Sequence, residues 1–120
     1  MIRFTQILEN NNSQVEVKTQ PLNTELVYLC ESGGQVGSLL LVFNGREASI
    51  YSVEVLPTHR GKGYGKRLVE SAIEACKRKS CNFIELNTEV DNNVANNLYQ
   101  SLGFQLVGNR DTFNNYRKYL

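Results

Sequence analysis

The chain has 120 residues, 41% of them hydrophobic and 21% charged, with a net charge of +1. That is enough for one modest core and matches the makeup of ordinary globular domains. No apolar run approaches the roughly 18 residues that cross a bilayer. The opening Met1-Ile-Arg-Phe-Thr-Gln has no apolar h-region. Neither a membrane span nor a signal peptide is expected, and the default address is cytoplasmic. Three cysteines (Cys30, Cys76, Cys81) without a CxxC spacing, and one histidine, His59, argue against a disulfide framework, a structural zinc site and a multi-histidine metal centre. No metal is expected, and His59 beside Pro57 reads as an exposed turn residue.

In chain order, Ile2 to Leu8 reads as a first strand, residues 10–13 (Asn-Asn-Asn-Ser) as a turn, and Val15 to Thr19 as a weakly alternating second strand. Glu25 to Glu31 and Gln35 to Phe43 flank Ser32-Gly33-Gly34, a hairpin signal. Asn44-Gly45 then leads into a strand from Glu47 to Leu56, which Pro57 ends. From Gly65 to Lys79 the period changes. Leu68, Val69, Ala72, Ile73 and Cys76 make the stripe of an amphipathic helix, and Lys77, Arg78 and Lys79 complement its C-terminal dipole. Phe83 to Asn87 is the next strand. Asp91 or Asn92 can cap a second helix with Val94, Ala95, Leu98, Tyr99 and Leu102 on its apolar face, and Gly103 stops it. Phe104 to Val107 and Phe113 to Tyr119 close the order. The class is α+β: one central, mostly antiparallel sheet of about six to seven strands with helices packed on it.

The chemistry is concentrated in Arg60-Gly61-Lys62-Gly63-Tyr64-Gly65-Lys66, between strand and helix. Alternating glycines before a helix put backbone N–H groups on one concave surface, and the helix N-terminus adds partial positive charge. A Cβ would hold phosphate oxygens off the backbone. The loop therefore reads as a pyrophosphate site. Arg67 follows Lys66 where a Walker A loop needs Ser or Thr, and GxGxG is not the dinucleotide fingerprint GxGxxG.

The run Val53-Glu-Val-Leu-Pro-Thr-His-Arg-Gly-Lys-Gly-Tyr-Gly-Lys-Arg-Leu68 resembles motif A of the GNAT acetyltransferases, with Arg60, Gly63 and Gly65 at the positions of [Q/R]xxGx[G/A]. The stretch Asn92 to Phe104 resembles motif B, NxxAxxLYxxxGF, at Asn92, Ala95, Leu98, Tyr99, Gly103 and Phe104. The resemblance covers roughly residues 25 to 119. It implies a single GNAT acyl-CoA N-acyltransferase domain over residues 1–120 that transfers acetyl from acetyl-CoA to a primary amine in a ternary complex. It further implies cofactor contacts at Val53, Val55, Arg60, Gly61, Lys62, Gly63, Tyr64, Gly65, Lys66 and Asn92. Tyr99 would protonate the leaving thiolate, and core packing is its structural alternative; for Asn92 the alternative is a helix cap. The general base is Glu54, with Glu47 and Glu89 as alternatives. Asn87 stands where ribosomal-protein N-terminal acetyltransferases have glutamate.

Family members carry one or two helices between the first two strands, and here that interval shows no helical period. The acceptor site is then open to a protein or peptide amine, completed by a second subunit, or lost in a non-catalytic acetyl-CoA binder. Arg60, Lys62, Lys66, Arg67, Lys77, Arg78 and Lys79, seven of the thirteen basic residues, make nucleic-acid binding a rival reading. Coenzyme A, with its pyrophosphate and 3′-phosphate, makes nucleic acid unnecessary. Edge strands make a homodimer plausible.

Overall fold

A computed structural model describes residues 3–7, 13–20, 24–31 and 34–120. The elements are β1 (Arg3–Ile7), β2 (Ser13–Gln20), β3 (Thr24–Glu31), β4 (Gly34–Asn44), β5 (Glu47–Val55), a 3-10 turn (Pro57–His59), α1 (Tyr64–Arg78), β6 (Phe83–Glu89), α2 (Asn93–Ser101), β7 (Gln105–Arg110) and β8 (Phe113–Tyr119). The strands form one sheet in the order β1-β2-β3-β4-β5-β6-β8-β7. Every neighbouring pair is antiparallel except β5–β6. The six to seven strands expected become eight because the weakly alternating segment is a full strand. Val15 and Val17 are buried opposite Leu29 and Val27. Residues 10–12 of the expected first turn and Ser32-Gly33 of the expected hairpin lie outside the described residues, while Ser13 already belongs to β2. Among the described residues no helix stands between β1 and β3.

One face of the sheet carries the core. Val27, Leu29, Leu39, Leu41, Ile50, Ile84 and Tyr116 point to this side, where Leu68, Val69, Ala72 and Cys76 of α1 meet them. Each fully buried aliphatic side chain contributes about 1.5–3 kcal/mol relative to exposure. Close approach is possible because Gly37 lacks a side chain: a Cβ there would stand 3.0 Å from Leu68 Cδ1 and 2.9 Å from the Glu54 carbonyl oxygen. Both helices end in a 6→1 plus 5→2 bond pair. Cys81 and Ser80 N–H donate to Cys76 and Lys77 carbonyls, and Phe104 and Gly103 N–H donate to Tyr99 and Gln100. Gly103 takes the left-handed position as its sequence context requires (φ 89), but in α1 Ser80 adopts it (φ 57) without being glycine. No helix of the described residues is long and apolar enough to cross a membrane.

A bulge resets the strand that borders the site. In the β4–β5 ladder Ser38 faces Glu54 and Leu40 faces Tyr51, so Leu39 is opposed by both Ser52 and Val53. Ser52 takes a positive φ of 56. Before the bulge the even residues Ala48 and Ile50 face the helices; after it the odd residues Val53 and Val55 pack against the core. Glu54 is thereby turned to the other, outer face with Ser49 and Tyr51.

Candidate active site

β5 and β6 pair only at Glu47–Phe83, Ala48–Ile84 and Ser49–Glu85. Beyond Ser49 the parallel strands part, leaving a cleft of about 1220 Å³. Its walls are β5 from Ile50 to Val55, β6 from Leu86 to Glu89, the loop after β5, and Val94, Ala95, Leu98 and Tyr99 of α2. Leu56 N–H donates to the Val36 carbonyl at 2.8 Å. Alternate residues of an antiparallel ladder face the partner strand. Glu54 and Leu56 therefore direct their backbone at β4, while Val53 and Val55 present N–H and C=O to the cleft. That is where the resemblance put their cofactor contacts.

At one end of the cleft the glycine loop turns into α1. Gly61 and Gly63 hold φ of 78 and 79, and an added Cβ at either would meet nothing within 4 Å. These glycines supply left-handed backbone and leave open space over it. The first N–H after Gly63 with an acceptor preceding the helix is that of Arg67, bonded to the Gly63 carbonyl at 3.2 Å. The amides before it are those that a helix start leaves unpaired, and no side chain caps them. Arg60 Nε donates to the Val55 carbonyl at 3.1 Å, pinning the loop to the strand it follows. The Tyr64 ring turns inward, and its hydroxyl donates to the Glu31 carboxylate. That bond holds the Glu31 carboxyl below its ordinary range and pushes the Tyr64 phenol up. Tyr64 thus offers the cleft its backbone rather than its phenol.

Tyr99 is buried on α2, edge-on to Phe104 (6.1 Å) and Tyr116 (6.0 Å). Among the described residues no protein group hydrogen-bonds its hydroxyl, and no buried side-chain polar atom lacks a partner. The hydroxyl therefore opens on the cleft, whose wall Tyr99 forms. Burial pushes its pKa up, so the proton stays on at neutral pH. The packing alternative and the cleft position hold together: the ring is in the core and the hydroxyl is at the opening.

Asn92 is a helix cap, its Oδ1 accepting from Ala95 N–H at 3.1 Å, and it also lines the cleft. Glu54 and Glu89 line the cleft too. Glu47 does not: it sits at the paired end of β5, opposite Phe83, which removes it as a base. Lys62 is likewise absent from the lining; its charge faces Glu31 instead. His59 is half-buried at the cleft wall rather than free in solvent, beside the Thr58 hydroxyl and stacked on Tyr64.

The basic cluster is not one patch. Arg60 and Lys66 line the cleft, and Arg67 lies over the Tyr64 ring. Lys77 pairs with Glu74 at 3.9 Å and Lys79 with Glu25 at 3.4 Å, at the far end of α1. Fifteen residues of helix separate these groups by about 20 Å at 1.5 Å per residue. The nucleic-acid reading loses its continuous surface.

One feature was not visible in the sequence. Asn96 is buried, with Nδ2 donating to the Glu89 (3.0 Å) and Asn92 (2.8 Å) carbonyls. Its Oδ1 accepts from Tyr116 Oη (2.6 Å) and Asn114 Nδ2 (3.0 Å). This amide ties α2, and with it Tyr99, to β6 and β8. The paired asparagines at 96 and 97 were its only signal.

The sequence profile of the Acetyltransferase (GNAT) family matches residues 5–104. The chain is 51% identical over 47 residues to N-alpha-acetyltransferase 30 of Saccharomyces cerevisiae, covering 39% of this chain and 27% of the relative. It is 33% identical over 67 residues to the ribosomal protein bS18-alanine N-acetyltransferase of Haemophilus influenzae, covering 56% and 45%. The matched segments thus span less than half of either relative. Among solved structures, the ribosomal-protein-S18-alanine N-acetyltransferase of Escherichia coli superposes with a TM-score of 0.79 at 16% identity, over 98% of this chain and 94% of that one. PaiA N-acetyltransferase of Thermoplasma acidophilum, solved with coenzyme A, gives 0.78 at 18% identity over 82% and 62%. These likenesses show a shared fold, and with residues 5–104 matched to the family profile the chain belongs to the GNAT acetyltransferase family.

Proposed function

We propose that this chain moves an acetyl group from acetyl-CoA to an amine by direct attack within a ternary complex. The observation that carries the reading is the placement of Tyr99 and Glu54 on opposite faces of one cleft. Tyr99 enters from the helix side, through its packing on Tyr116, and the bulge at Ser52 turns Glu54 to the outer face. The unpaired loop amides, the helix dipole, Arg60 and Lys66 suit a pyrophosphate, and the backbone of Val53 and Val55 suits the amide-bearing arm. Acetyl-CoA supplies the acyl group as a thioester. Glu54 takes a proton from the ammonium form of the acceptor, which leaves the nitrogen lone pair free to attack. As the new C–N bond forms and the C–S bond breaks, the Tyr99 hydroxyl gives its proton to the departing thiolate. A phenol and a thiol have comparable basicity, so the transfer is well matched.

Thiol release with an amine panel tests both roles. Tyr99→Phe should lower turnover by about 10²–10⁴ while keeping the rise in melting temperature that acetyl-CoA produces. Unchanged turnover refutes the assigned acid. Glu54→Gln should lower turnover more than Glu89→Gln; the reverse order moves the base to β6. Stabilisation by acetyl-CoA without thiol release from any amine would make the domain a non-catalytic binder.

A further inference from the structure

A second recess, of about 180 Å³, adjoins the cleft on the outer face of the sheet and shares Ile50, Tyr51, Leu86 and Asn87 with its lining. The two depressions form one groove. It runs back along β5 and β6 as far as Ser49 and Glu85, the last pair of the parallel ladder. Asn115 of β8 stands directly opposite Asn87 and completes it. From Asn87 back to Glu85 is two strand positions, about 7 Å at roughly 3.3 Å per residue, the reach of two residues of extended chain.

The groups that line this recess are neutral and unspent. Among the described residues, the side chains of Ser49, Asn87 and Asn115 have no hydrogen-bond partner. Each asparagine amide offers two donors and an acceptor, the complement of a peptide bond. The carboxylate of the recess, Glu85, is taken: Arg117 Nη2 and Nε both donate to its Oε2, at 2.9 and 3.2 Å. A polyamine would lay a second ammonium here without a free counter-charge, an unfavourable exchange for water. A peptide would lay amides against amides, with the exposed Tyr51 ring as a wall for a side chain.

We propose that this groove is the acceptor subsite and that the acceptor is the N-terminal end of an extended peptide. Its main chain bonds Asn87, Asn115 and Ser49, and its terminal amine reaches the cleft beside Glu54. What then happens to the amine rests on the transferase reading above; the groove itself does not.

The test compares tetra-alanine amide, which fills the groove, with alaninamide, which is too short to enter it, and with spermidine. The wild-type chain should favour tetra-alanine amide over both in kcat/KM. The Asn87→Ala/Asn115→Ala variant should raise KM for tetra-alanine amide about tenfold, the loss of one to two neutral hydrogen bonds. KM for acetyl-CoA and turnover of alaninamide should stay as they were. Equal losses with both amides, or spermidine as the better acceptor, overturns the proposal. If no amine is acetylated, the same peptide is titrated into CoA-saturated protein and the side-chain amide resonances of Asn87 and Asn115 are followed. Shifts confined to the groove support it and reject only the chemistry; no shift overturns it.

Discussion

Truncating Asn96 to alanine tests how much of the site depends on one buried amide. The substitution removes four side-chain bonds, but their losses are unequal. The Glu89 carbonyl still accepts from Asn92 N–H (3.1 Å), and the Asn92 carbonyl still accepts from Asn96 N–H (3.0 Å). Those two bonds cost only an ordinary net loss, about 0.5–1 kcal/mol each. The Tyr116 hydroxyl fares worse. It keeps Gln100 Nε2 as a donor at 3.3 Å, yet its own proton loses its acceptor where the ring is 1% exposed, at about 1–3 kcal/mol. The expected total is about 3 kcal/mol, a fall in melting temperature of about 12 °C for a domain of this size. Adding Tyr116→Phe removes the orphaned proton, so the double variant should recover about 1–2 kcal/mol. Urea unfolding of the four species measures the coupling. A cost below 1 kcal/mol for Asn96→Ala, or no recovery in the double variant, refutes the bond assignment.

Gly63→Ala should cost about 1–2 kcal/mol in backbone strain and weaken CoA binding about tenfold or more, because the new methyl stands over the loop amides. Gly45→Ala is the control: it has a similar φ of 62 and equally open space, so calorimetry should show the stability cost with unchanged CoA affinity. Equal affinity in the two variants would take the pyrophosphate away from the loop. Burial, then neighbouring Cys81, pushes the Cys76 thiol from 9.0 to about 12. With the folded pKa raised, this contribution is complete below pH 9 and is lost as pH rises toward 12, by up to about 1.4 kcal/mol per pH unit. Cys76→Ala should flatten the fall in unfolding free energy between pH 9 and 10.5; identical slopes would refute it.

Features set by neighbours in sequence were legible. The α1 stripe, the stop at Gly103 and the loop of alternating glycines are each written in a few adjacent residues, and the two motifs placed Tyr99 and the loop at one cleft. Features set by partners far along the chain were not. Asn96 is satisfied by residues 18 and 20 positions away, so nothing beside it distinguishes it from Asn97. Glu47 and Glu54 look alike in one strand, and only the point where β6 diverges separates the paired end from the open one. The basic residues read as one patch because a sequence shows adjacency and not the length of the helix between its ends. Lys62 has the composition of a ligand but is carried away from the cleft by its turn.

The bulge at Ser52 gives β5 an odd residue between its two halves, and this makes the strand far less tolerant of length changes than of substitutions. Removing one residue from Tyr51 to Val53 would restore simple alternation and rotate everything after it by half a turn. Glu54 would then be driven under Leu68, and Val55 would be left facing water. Point changes can accumulate along this segment over evolutionary time, but a single-codon deletion would invert the cleft wall, so homologues that keep the chemistry should keep the spacing between Ile50 and Arg60.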